Sequence, residues 1–162
     1  MRLVFRNQVR PPVAIRDLRR AGRLLVKIAR LLAQDPRAPL TSRQRVQMFE
    51  LGRRELGVAF VSPREIQMWN RRYRRRNKAT DVLSFDGDGN GSLGDLMLCP
   101  RVLKHQAQRF STTTKEETLY IFVHGVLHLL GFEHERGHRE AQIMLDIQDT
   151  LYAKLSSDLA KG

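Results

Sequence analysis

Apolar positions along the chain follow two rhythms, alternation in some stretches and a three-to-four-residue recurrence in others. The opening run Arg2-Leu3-Val4-Phe5-Arg6 reads as a short strand. Ile15, Leu18, Gly22, Leu25, Val26, Ala29 and Leu32 then recur at helical spacing, which predicts an amphipathic helix over 13–33. Asp35-Pro36 ends it, because proline disfavours helical geometry at the residue before it. The stretch 36–54 is polar and arginine-rich, and its pattern assigns it no element. LGVAFV at 56–61 reads as a buried strand, and Ser62-Pro63 as the N-cap and first residue of a helix running through Trp69. Val82–Phe85 and Leu93–Cys99 read as strands around the turn-rich Asp86-Gly87-Asp88-Gly89-Asn90-Gly91. Helices are predicted near 100–109, 115–130 and 138–155. Four strands and at least four helices, with no repeat and no linker, make residues 1–162 one α+β domain.

Composition narrows the class. With 41% hydrophobic and 28% charged residues in 162, the chain is globular and long enough to bury a core without staples. A single cysteine, Cys99, excludes an internal disulfide and suits a reducing cytosol; at the end of an apolar strand it reads as a core residue. The first residues lack the apolar core of a signal peptide, and the apolar run at 119–132 is too short to span a bilayer. A soluble, cytoplasmic protein without a membrane partner is expected. The net charge of +12 is uneven: residues 1–78 hold 21 basic and 5 acidic side chains, residues 79–162 hold 8 and 12. A surplus concentrated in one half points to a polyanionic partner.

The densest chemical signal is HGVLHLLGFEH at 124–134. His124 and His128, at i and i+4, project from one helix face about one turn apart. Gly131 can end the helix with φ > 0 and turn the chain back, bringing His134 to the same point. Three converging imidazoles suit one tetrahedral Zn²⁺ per chain with its fourth position open. His138 lies beyond the motif and is expected to be exposed; His105 has no constellation around it. The spacing also matches the peptidase motif H-E-x-x-H-x-x-G-x-x-H, but the position of the general-base glutamate is Gly125, which argues for another substrate. A metallopeptidase is therefore the weaker enzyme reading. A zinc-stabilised ribosome-binding factor without catalysis is the alternative from another class, and a fourth ligand closing the zinc would favour it.

The second signal is NRRYRRRNK at 70–78, where Arg71, Arg72, Arg74, Arg75, Arg76 and Lys78 surround Tyr73. Guanidinium forks pair with phosphate oxygens and a tyrosine can stack on an unpaired base, so these residues are candidate RNA contacts. Asp86, Asp88, Asn90 and Gly91 imitate the first half of a calcium loop, but its twelfth position is Met97 instead of glutamate and its flanks read as strands, so a hairpin turn is expected.

These motifs together resemble those of the YbeY-type endoribonucleases of bacteria. HGVLHLLGFEH is similar to their HGxLHLxGYDH, residues 70–85 to LNxxYRxxxxPTDVLSF, and SLGDLMLCP at 92–100 followed by Gln106-Ala107 to a third block. The resemblance runs in order from about 55 to 155 and leaves the basic stretch 36–54 without a counterpart. It implies a mixed β-sheet packed with helices, a zinc held by His124, His128 and His134, and single-strand-directed endoribonuclease activity. It further implies a role in ribosomal RNA maturation (the 16S 3′ end) and ribosome quality control, with RNA and the ribosome as partners. The family's functionally important arginine maps onto Arg74. Phe132 and Glu133 replace Tyr-Asp, and Ala79 replaces the proline before Thr80-Asp81, which could loosen the loop after Arg74.

Overall fold

The computed structural model describes residues 1–88, 91–132 and 137–160. The elements run β1 (Arg2–Phe5), α1 (Ile15–Gln34), α2 (Ser42–Glu50), a 3₁₀ turn (Leu51–Arg53), β2 (Glu55–Phe60), α3 (Pro63–Arg74), β3 (Val82–Asp86), β4 (Ser92–Leu98), α4 (Pro100–Arg109), α5 (Thr114–Leu129) and α6 (His138–Ala160). The α+β expectation holds, with a mixed four-stranded sheet in the order β1-β2-β4-β3. β1 pairs parallel to β2 and β2 to β4, while β3 pairs antiparallel to β4 at the edge. Parallel neighbours need crossovers, and α1 with α2 supplies one and α3 with β3 the other. The antiparallel β3–β4 pair supports the hairpin reading; Gly89 and Asn90 lie outside the described residues.

Side-chain alternation sorts the sheet into two faces. Leu56, Val58 and Phe60 of β2 and Leu96 and Leu98 of β4 enter the main core beneath α1, α5 and α6. Val61, Ile66, Leu83 and the buried Cys99 form a second cluster with Trp69, Phe85 and Met97, against α3. Alternation breaks at Leu93–Gly94, where β4 carries a bulge against Glu55/Leu56. Gly94 has φ 136°, and a Cβ there would stand 2.2 Å from the Phe85 carbonyl oxygen. Only glycine fits.

Helix α5 is apolar nearly all round and lies in the middle of the fold. Its start is fixed by a capping box, Thr113 with Glu116. Ser62 caps α3 with Pro63 at its first turn, as the sequence predicts, but α3 runs on past Trp69 to Arg74. The unassigned stretch 36–54 is largely helical: Thr41 and Gln44 form a capping box that opens α2. Arg45 then locks the loop before it, donating to the carbonyls of Ala33, Asp35, Pro36 and Ala38. Among the described residues, no helix is long and apolar enough to cross a membrane.

A candidate metal centre and the groove beside it

His124 and His128 stand half-buried on one side of α5, as their spacing predicts, with rings edge-to-face at 4.6 Å. Their Nε2 atoms approach to 3.1 Å. Each Nδ1 meets an oxygen: His124 that of Gln148 Oε1 at 2.8 Å, His128 that of the Phe132 carbonyl at 3.1 Å. A carbonyl only accepts, so the His128 Nδ1 carries a proton, and in the neutral ring Nε2 presents the lone pair that a metal requires. Two imidazoles on one tetrahedral zinc, at about 2.0–2.1 Å each, hold their nitrogens about 3.3 Å apart. The donor set and its spacing therefore suit a divalent ion between the rings.

The turn that ends α5 contributes to this geometry. Gly131 takes φ 82°, its N–H donates to the His128 carbonyl, and the Phe132 N–H donates to the Leu127 carbonyl. This is a Schellman motif, with Phe132 and Leu127 both buried beside it. The reversal brings the Phe132 carbonyl to the His128 Nδ1. His134, the expected third ligand, lies outside the described residues, and among those described no group of three metal-ligating side chains occurs. His138 and His105 are both exposed.

Gly125, between the two histidines in sequence, packs against the sheet. A Cβ there would lie 2.8 Å from Leu96 Cδ2 and 3.4 Å from Val82 Cγ2. Any side chain at 125 would press its Cβ against Leu96, so close packing of α5 on the sheet favours glycine at the position of the peptidase glutamate.

Beside His128 opens a groove of about 1210 Å³. The segment 36–44 and α2 form one wall, the Gly131 turn and the start of α6 the other, and the β3–β4 ends the floor. Arg43, Arg45, Arg54 and Arg139 line it against two carboxylates, Asp86 and Glu140. Their duties differ. Arg45 is held by the loop carbonyls, and Arg54 pairs with Glu50 at 3.6 Å, whereas Arg43 and Arg139 are exposed. Gln44 spans the groove's end, its Nε2 donating to the Gly131 carbonyl at 3.2 Å.

The run 70–78 lies elsewhere. Arg71, Arg72, Tyr73 and Arg74 form the last turn of α3, Arg75 closes it at φ 57°, and Arg76 and Lys78 follow in the loop. All seven side chains are exposed, and none lines the groove beside His128. Tyr73 stacks on Trp69 at 5.4 Å, meets the Phe85 edge at 5.3 Å and lies under the Arg72 guanidinium at 5.5 Å. Its ring is thus already engaged within the protein. The run sits on the α3 face of edge strand β3, while α5 covers the other, with Ser84 Oγ donating to the Gly125 carbonyl at 3.4 Å.

Comparison with known proteins now decides the family. The family model described as Endoribonuclease YbeY matches residues 32–156. The chain belongs to the YbeY family. It is 46% identical over 113 residues to an Endoribonuclease YbeY of Bdellovibrio bacteriovorus, covering 70% of this chain and 75% of that one. An Endoribonuclease YbeY of Aquifex aeolicus is 30% identical over 145 residues, 87% of this chain and 97% of the relative. The solution structure of a Thermotoga maritima protein shares the fold, with TM-score 0.61 and 22% identity over 98% of this chain and 93% of that one.

The YbeY match starts at 32, so the basic stretch 36–54 lies within the matched span. Ala79, in place of the YbeY proline, does not leave its loop untied. Asn70, buried at the end of α3, donates to the Lys78 carbonyl at 2.8 Å, and Ala79 packs on the second apolar cluster. Asp81 secures the next step, accepting from the Val82 N–H and from Gln106 Nε2 at 2.9 Å. The two YbeY-like blocks that contain Asp81 and Gln106 meet in that bond. Gln148, Gln44 and Arg43 are the site residues that sequence reading missed.

Proposed function

We propose that this protein is a zinc-dependent endoribonuclease that cleaves single-stranded RNA, acting in ribosomal RNA maturation and ribosome quality control in the cytoplasm. The observation that carries the reading is the pair of Nε2 atoms 3.1 Å apart beside a cationic groove, in a chain of the YbeY family. His124, His128 and His134 would hold one zinc, which supplies Lewis acidity toward a phosphate oxygen and lowers the pKa of a water to about 7. The chain's own groups do the rest. Arg43 and Arg139 receive backbone phosphates along the groove, and Arg71, Arg72, Arg75, Arg76 and Lys78 hold the strand around β3, with Tyr73 at their centre. Arg74 stands with that run on the α3 side of β3 and lines no part of the groove, so its role in neutralising charge on the reacting phosphate rests on the family resemblance.

Purified protein should carry close to one zinc per chain and cut a labelled single-stranded RNA, and His128→Ala should lose most of both. Equal zinc in variant and wild type removes His128 from the site; cleavage that survives metal loss removes zinc from the reaction. Single-turnover cleavage at saturating protein tests Arg74. Arg74→Ala should slow the chemical step by about 10²–10³, whereas Arg76→Ala should chiefly weaken binding. Rates that fall together would take Arg74 out of the catalytic set.

A further inference from the structure

We propose that Gln148 is a positioning residue for the metal site, its carboxamide oxygen holding His124 in the one tautomer that leaves Nε2 open to a metal ion. The inference rests on the metal reading above and assigns a residue from a different helix to it.

Gln148 belongs to α6 and is 2% exposed. Its neighbours in the buried stripe of α6 are Met144, Ile147, Leu151 and Leu155, so it is the one polar member of an apolar row. Packing alone would be satisfied by leucine or methionine there. A buried carboxamide costs free energy unless its polar atoms find partners. The partner here is His124 Nδ1, 2.8 Å from Oε1.

The neighbouring ring decides the sense of that bond. His128 Nδ1 must donate, because it faces the Phe132 carbonyl, so in the neutral, metal-competent ring His128 Nε2 is an acceptor. His124 Nε2 lies 3.1 Å from it. For one cation to take both, His124 Nε2 must also present a lone pair, which puts the ring proton on Nδ1 and makes the Gln148 oxygen its acceptor. Gln148 and His124 also line a second, smaller cavity of about 230 Å³ beside Met144 and Leu145. The ring is thus held from α6 at one nitrogen while the other faces His128.

Zinc competition against a chromophoric chelator tests this with wild type, Gln148→Met and Gln148→Glu. Methionine keeps the unbranched shape and removes the acceptor; affinity should fall by about 10–100-fold, as for other partners of metal-bound imidazoles. The thermal midpoint of the metal-free variant should stay near that of wild type. Glutamate restores an acceptor with added charge, and should bind zinc at least as tightly as wild type. Should Gln148→Met not fold, the Gln148→Glu comparison and the ¹⁵N signature of the zinc-loaded His124 ring, expected protonated at Nδ1, carry the test. Unchanged affinity in Gln148→Met, weakening in Gln148→Glu, or an unprotonated Nδ1 would overturn the role of Gln148. Failure of the wild type to bind zinc would instead overturn the metal reading, and this proposal with it.

Discussion

Single residues of this chain carry opposing demands, and Glu117 shows the conflict most plainly. It sits on α5 at 6% exposure, where burial first and the nearby Asp81 carboxylate second push its pKa above the usual 4.5. An acid whose folded pKa is raised contributes most to stability when protonated, below its unfolded value. That contribution is lost as pH rises through the raised folded value. Glu117→Gln should therefore raise the unfolding free energy at neutral pH and flatten its decline from about pH 4.5 upward. Urea unfolding of both proteins across that range checks it; a variant less stable than wild type at neutral pH would show that the carboxylate is held by a favourable contact. Gly125 and Gly94 are simpler cases, one admitting α5 to the sheet and the other fitting a bulge against Phe85.

At the scale of elements, α2 joins two jobs in arginines two positions apart. Arg45 points back to four carbonyls between residues 33 and 38 and so builds the groove wall. Arg43, two residues earlier, is exposed on the groove. Arg45→Ala should lower stability by about 1–3 kcal/mol, because several carbonyls lose a charged donor at once. Arg43→Ala should leave stability within about 0.5 kcal/mol and weaken RNA binding. Denaturant melts beside filter-binding titrations separate the two; equal destabilisation by both would make α2 a purely structural wall. The same division holds at α3, where Asn70 ties the following loop and the arginines around it face outward.

For the whole molecule, the charge imbalance acquires a shape. The basic half, residues 1–78, contributes both α2 beside the histidine groove and the arginine run on the far face of β3. Among the described residues of this half, Arg2 pairs with Glu55, Arg16 with Asp17, Arg37 with Asp35 and Arg54 with Glu50. RNA binding should accordingly weaken steeply with salt. Each phosphate neutralised on a single strand adds about −0.7 to the slope of log K against log salt, so several contacts give a slope of several units. A titration with a short single-stranded RNA reads this directly, and a flat response would assign the arginines to solubility.

The sequence by itself determined whatever depends on residues a turn or a strand apart. Alternation located β2, helical recurrence located α1, Ser62-Pro63 opened α3, and HGVLHLLG placed two imidazoles on one face before a glycine turn. It also carried the family, through blocks whose spacing is specific. Tertiary structure alone decided the rest. Helix α2 buries only Met48 within its span, so no apolar stripe announced it. The last turn of α3 is nearly all arginine, which hides its periodicity. Gly125 acquires its reason from Leu96 on another strand, and Gln148 from His124 on another helix. Such roles depend on which surfaces meet when α5 is enclosed by the sheet and α6. Local backbone preference acts over one turn, whereas the partner of a buried polar group is chosen by packing across the whole chain.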